Sequence, residues 1–318
     1  MPSLSLKTAV LAMSLTALSV PPVQARPTAG EQAKSTTAAA EELAGYQIHP
    51  SRRMGFGGPW DYEIQVALPP SYGKTKKAFP VLWVTDGGGA FRPSIKEVSR
   101  VADKGVPEMI IVGIGAPPEA TDAGLRRQYD FTITPDGLGF PGLGGKLSDR
   151  IVDAAFSKTP LKHLGGAPQF LDFLISSVRP ALAREFRMAN DHTLTGHSGG
   201  GHFCGYAIFA RPGAFQRYIC TSPSLYTENN LIFSMEEAYA EKNSDMSARI
   251  FFAAGEAEML QGGVVSSVGC VSSMARMVEI LGLRNYPSLR LEARIYPGKD
   301  HGTVWPVAKE EWLIAVFR

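Results

Sequence analysis

With 318 residues, 44% hydrophobic and 19% charged, the chain is long enough to bury a sizeable apolar core, and one large α/β domain is expected at this length. A formal net charge of +2 gives no electrostatic case for a nucleic-acid partner. Three cysteines, Cys204, Cys220 and Cys270, allow one disulfide with one thiol left over, and the sequence does not choose among the pairings. Cys204 and Cys220 sit in apolar runs and read equally well as small core residues.

At the amino terminus Lys7 precedes "TAVLAMSLTALSV", 13 residues that are too few to span a bilayer, and "VQA" ends at Ala25. The pattern is that of a signal peptide over 1–25, cleaved near Ala25, and predicts a periplasmic or secreted protein. Residues 26–45 are small and polar without apolar periodicity and read as a flexible leader. A single domain is expected over 46–318, with no membrane span in the mature chain.

"YEIQVALPPSYG" (62–73) alternates apolar and polar residues and predicts a half-exposed strand ending at a Pro-Pro turn. "FPVLWVTDGGG" (79–89) and "MIIVGIGAPP" (109–118) are continuous apolar runs stopped by Gly or Pro, the signature of strands covered on both faces. Gly87 and Gly88 follow the first of these runs. Their amides can approach a ligand closely and are candidate oxyanion donors. Residues 119–166, rich in Gly, Pro and Asp, predict neither helix nor strand, and such long excursions are often functional. Within them "RRQYDFT" clusters Arg126, Arg127 and Asp130, either as a salt-bridged loop or with Arg127 binding an anionic substrate.

Residues 167–186 place Phe170, Leu174, Val178, Leu182 and Phe186 on one helical face, with Pro180 expected to kink or split the helix. Further strands are predicted at 192–196, 217–224, 249–255 and 289–298, and further helices at 203–210, 271–281 and 309–317. Strands alternating with helices argue for a mostly parallel sheet covered by helices on both faces.

Ser198 lies where the strand 192–196 gives way to a helix, in "GHSGG", a G-x-S-x-G nucleophile elbow. The turn lifts its hydroxyl clear of the sheet, and the Gly199 amide at the helix start can face a developing oxyanion. Of the six histidines only His202 and His301 follow Ser198. His202, one turn into the helix, points away from the elbow and reads as packing or surface. His301, in "YPGKDHGTVWP" after the last strand, is placed to be the base. For the acid, "AAGEAE" offers Glu258 first and Glu256 second, because Asp300 is too close in sequence to reach the far side of the ring. No cysteine–histidine spacing marks a metal site, and no metal or organic cofactor is expected.

Taken together, "VALPPSYG", "VGIGAP", "RRQYDFT", "LTGHSGGG", "YICTSPSLY", "AAGEAE" and "YPGKDHGTVWP" resemble the esterase D-type family of α/β hydrolases. Within it the chain is most similar to an exported branch containing trilactone siderophore esterases. The resemblance runs from Tyr62 to His301 and implies an α/β-hydrolase fold, with Ser198 as nucleophile and His301 as base. It also implies Glu258 as acid and the Gly87–Gly88 turn as oxyanion loop. Gly199, Gly200 and Gly201 and Tyr226, which stands in place of the usual tryptophan, depart from the family pattern and bear on substrate choice. Tyr226 is therefore a substrate-contact candidate, alongside Arg127 from its polar cluster. The activity implied is hydrolysis of a small-molecule ester through an acyl-enzyme, with a siderophore trilactone as leading substrate. Short-acyl or feruloyl esters and acyl transfer are the alternatives within that chemistry. A non-catalytic periplasmic binding protein on the same scaffold is the alternative outside it.

Overall fold

Apolar runs that bury both faces assemble into one mixed sheet. The computed structural model describes residues 41–135, 164–262, 265–266 and 268–318. The segment read as a signal peptide, most of that read as a leader, and the centre of the 119–166 excursion lie outside the described residues. Short strands β1 (Glu41–Leu43), β2 (Tyr46–Ile48) and β3 (Arg52–Met54) precede β4 (Tyr62–Leu68), β5 (Phe79–Val84) and β6 (Ile110–Gly115). β7 (Met188–His197), β8 (Arg217–Thr221), β9 (Arg249–Gly255) and β10 (Arg290–Tyr296) follow. The sheet order is β1-β2-β4-β6-β5-β7-β8-β9-β10, with β3 pairing β4 off this path. From β6 to β10 every pairing is parallel, while β4 runs antiparallel to β6. Because β1 pairs with β2, the sheet begins at Glu41, inside the stretch expected as leader.

Alternation along the strands divides the core in two. Trp83, Val112 and Phe252 pack on one face of the sheet, and Leu82, Ile111 and Phe251 on the other. Helix α1 (Gly87–Val101) covers the second face, and helix α2 (Ala123–Phe131) stands at the edge of the first. β4 is more buried than its alternation suggests: it lies inside the sheet, with Tyr62 against Phe170 and Phe173. Helix α2 also corrects the reading of 119–166, since "RRQYDF" is helical rather than irregular.

The 167–186 pattern forms helix α3 (Ala167–Phe173), a π turn (Leu174–Val178) and helix α4 (Arg179–Glu185), with all five apolar positions buried. Pro180 neither breaks the run nor stops it. The wider i→i+5 turn just before it absorbs the lost N–H and the ring's clash with the preceding turn. Helix α5 (Gly199–Ala210) follows β7, and α6 (Thr227–Ala240), α7 (Cys270–Arg284) and α8 (Val304–Phe317) complete the layers. Cys204 on α5 and Cys220 on β8 are joined by a disulfide, and Cys270 is a buried free thiol. Among the described residues no helix is long and apolar enough to cross a membrane.

Candidate active site

The residues singled out by sequence converge at the carboxyl ends of β7, β8 and β9, where open α/β sheets hold their ligands. Ser198 has φ 59° and ψ −120°, a backbone conformation that side-chain-bearing residues rarely adopt and that costs about 1–3 kcal/mol. Its neighbours make the turn possible. A Cβ at Gly196 would lie 2.2 Å from the Gly200 carbonyl oxygen, so only glycine lets the strand and helix close so tightly. The Ser198 N–H donates to the Thr221 carbonyl at 2.9 Å and ties the elbow to β8.

His301 reaches the serine from the loop between β10 and α8. Its Nε2 is 2.8 Å from Ser198 Oγ, and its Nδ1 is 3.0 Å from Glu258 Oε2. Asp300 is occupied in shaping that loop, accepting the Gly302 and Thr303 N–H groups and the Thr303 hydroxyl. Glu256 faces elsewhere and accepts the Gly298 N–H. Glu258 is buried, and Ser222 Oγ and the Gly255 N–H each donate to its Oε1 at 2.7 Å. Burial alone would raise its pKa, but the hydrogen bonds from His301, Gly255 and Ser222 outweigh burial and hold it below the usual carboxylate value. It therefore stays an anion beside the imidazole. The His197 ring packs on His301 with centroids 4.8 Å apart, and burial together with the His301 charge lowers its pKa to about 4. His301 thus has a neutral ring at its back.

Ser198 opens on a cavity of about 260 Å³ that Gly199, Phe131, Cys270 and His301 also line. A second cavity of about 540 Å³ is lined by Gly88, Pro117, His197 and Trp305, and Arg127 and Phe131 border both. Arg127 does not pair with Asp130. Its Nε and Nη2 donate to the two Asp86 carboxylate oxygens at 2.7 and 3.1 Å, and Nη2 also donates to the His197 carbonyl. A Cβ at Gly199 would fall 2.9 Å from Arg127 Nη1, so glycine at that position gives the guanidinium its room. Arg126 pairs with Asp122, and Asp130 accepts the Tyr62 hydroxyl, so the cluster is divided among three partners.

Not every candidate reaches Ser198. Gly87 is packed against the backbone of Ile114, and Gly88 borders the larger cavity rather than the serine's. Tyr226 stacks on Phe233 at 5.4 Å and lines neither cavity. His202 is buried packing, as one of the two readings had it, but it also borders the Ser198 cavity, with Nε2 2.7 Å from Glu228 Oε2. Sequence reasoning missed Glu228, Asp86 and Ser222. Asp86, in "TDGGG", had a visible signal as a lone carboxylate at a strand's end, whereas Glu228 and Ser222 had none.

A serine elbow closing the central strand of a parallel sheet is the architecture of the α/β hydrolases, and the fold assigns the chain to that class. Residues 143–262 match the "Putative esterase" family. The chain is 26% identical over 253 residues to the ferri-bacillibactin esterase BesA of Bacillus subtilis (77% of this chain, 81% of that protein). It is 30% identical over 187 residues to the siderophore triacetylfusarinine C esterase of Aspergillus fumigatus, and spans 57% of each chain. The solved BES protein from Bacillus cereus superposes with a TM-score of 0.67 at 25% identity, covering 85% of this chain and 95% of that one. The chain is similar to these esterases over most of its length and is a serine esterase.

Proposed function

We propose that the chain hydrolyses the ester bonds of a siderophore trilactone or similar polyester, with Ser198 as nucleophile, His301 as base and Glu258 as the orienting acid. The observation that carries the reading is the unbroken hydrogen-bonded line Ser198–His301–Glu258 at 2.8 and 3.0 Å, opening on a cavity. His301 Nε2 takes the Oγ proton as the oxygen attacks the ester carbonyl. Glu258 holds the Nδ1 proton and stabilises the imidazolium that forms. The Gly199 N–H at the start of α5 faces the tetrahedral oxyanion, a donor typically worth about 3 kcal/mol. Gly88 lines the larger cavity and Gly87 packs against the Ile114 backbone, so the oxyanion is assigned to the Gly199 amide. His301 then protonates the leaving alkoxide, and a water activated by the same nitrogen releases the acyl group.

Two adjoining cavities suit an ester with bulk on both sides of the scissile bond, and the relatives' printed substrates are siderophore esters. Arg127, shared by both cavities and fixed by Asp86, supplies a cation for an anionic substrate. Export to the periplasm or the medium fits the signal-like amino terminus and the Cys204–Cys220 disulfide, a bond that persists in oxidising compartments.

A fluorophosphonate probe is expected to label Ser198, and Ser198→Ala is expected to abolish both labelling and turnover. Full activity in that variant overturns the mechanism. For the substrate, Arg127→Ala is expected to lower kcat/KM for a catecholate trilactone about tenfold more than for p-nitrophenyl acetate. Equal losses would favour a short-acyl esterase.

A further inference from the structure

Cys270 comes to the active site from a part of the chain that no motif connects with it. It opens helix α7, is buried, and lines the Ser198 cavity beside Glu258. One ligand atom each from Cys270, Glu258 and His301 all lie within 4.8 Å of one another. We propose that these three side chains form an inhibitory site for a borderline-soft divalent cation, for which Zn²⁺ is the probe.

A thiolate, an imidazole and a carboxylate together make a donor set that zinc accepts and that magnesium and calcium, which take oxygen ligands, do not favour. Three protein ligands with a fourth position open toward a cavity is the arrangement of an accessible zinc site. Metal bonds of roughly 2.0–2.3 Å bring tetrahedral ligand atoms to about 3.2–3.8 Å from each other, so the widest separation here closes by about 1 Å. His301 lies on a loop with its side chain 22% exposed, and Cys270 is the first residue of its helix, so both ends of the site have room to adjust. The ion enters through the cavity at Ser198.

Binding displaces one proton to solvent, from the Cys270 thiol, while the single proton of the neutral His301 ring moves from Nδ1 to Nε2 and Glu258 is already an anion. The two negative ligands balance the ion's charge. With Nδ1 bound to metal, the neutral imidazole keeps its single proton on Nε2, the atom facing Ser198. That nitrogen then has no lone pair to accept the serine's proton, and turnover stops. The inhibitory consequence rests on His301 being the base, whereas binding does not.

Metal-free full-length protein is titrated with buffered Zn²⁺ while p-nitrophenyl acetate hydrolysis is followed. Inhibition with one ion per chain, reversed by chelator, is expected. Cys270→Ala and Cys270→Ser, each compared with its own metal-free rate, are expected to need about tenfold or more Zn²⁺ for half-inhibition, since even a supporting contact to a metal site is worth 10- to 100-fold in affinity. Separately, Co²⁺ is expected to give a near-ultraviolet thiolate charge-transfer band in the wild type and in Ser198→Ala, and none in the Cys270 variants. Unchanged zinc sensitivity in those variants, or no sulfur band in the wild type, overturns the proposal. A band in a protein without esterase activity would instead overturn the catalytic reading and leave the metal site standing.

Discussion

At the level of single residues, Glu258 shows how burial and hydrogen bonding set a group's role. It is buried, yet it remains ionised because His301, the Gly255 N–H and Ser222 supply what water would have given. Glu258→Gln preserves shape but removes the charge that stabilises the imidazolium and the acceptor that fixes its tautomer. It is expected to lower kcat by roughly 10²- to 10⁴-fold with little change in KM. Ser222→Ala removes one of the three hydrogen bonds and leaves the charge in place. A hydrogen bond to a charged group is worth about 1.5–3 kcal/mol, so a loss in kcat of roughly 10- to 100-fold is expected. Steady-state kinetics on the two variants separates these effects, and a Ser222→Ala loss as large as that of Glu258→Gln would mean that Ser222 does more than support the acid. Ser198, His301 and Glu258 were legible in the sequence because chain order and strand ends constrain where such groups can stand. Ser222 was not, since a serine two residues from "YIC" carries no pattern and gains its place only when β8 lies beside β9.

Among elements, the join between β7, α5 and β8 governs how firmly the elbow is held. The disulfide between Cys204 and Cys220 spans a sequence separation of 16 and links the helix that begins at Gly199 to the neighbouring strand. A loop of about 15 residues corresponds to about 3 kcal/mol in the chain-entropy account. Cys220→Ser is therefore expected to lower stability by about 2–4 kcal/mol, read as a fall in the urea midpoint. An unchanged midpoint would show that the bond adds nothing beyond packing. The parallel strands were readable because runs such as "FPVLWV" and "RIFFAAG" bury both faces. Helices α1 and α6 were not readable. The first opens on three glycines and contains Pro93, and the second carries Glu228, Asn229 and Asn230 at positive φ, so local propensity opposes what packing imposes. Arg127 was read as a candidate from its cluster, but its partner Asp86 lies 41 residues away and becomes its neighbour only through the crossover from β5 to α2.

Across the whole molecule, buried ionisable groups of opposite kind set how stability depends on pH. Burial lowers His197 to about 4 and His192 to about 3, from an ordinary 6.5. Between those values the unfolded chain binds more protons than the folded one. Stability from these rings is therefore fully present above about 6.5 and is lost as pH falls toward 4 and 3. Asp130 has the opposite sign: burial raises it from 3.8 to about 8, against the hydrogen bond from Tyr62 and the charge of Arg126. Between 3.8 and 8 the folded protein holds a proton that the unfolded chain has released, so this group's contribution declines as pH rises through that window. Below 6.5 the two histidines oppose Asp130 and prevail in number, and of these three groups only Asp130 still titrates above 6.5. A melting-temperature maximum near neutrality is expected, with a decline between about pH 6.5 and 8 to which Asp130 contributes. Asp130→Asn keeps an acceptor for the Tyr62 hydroxyl and cannot ionise, so it should flatten that decline and gain on the wild type at pH 8 more than at pH 5. Parallel melting curves for the two proteins across this range would show instead that Asp130 is already ionised in the folded state, with Arg126 and the Tyr62 hydroxyl outweighing its burial.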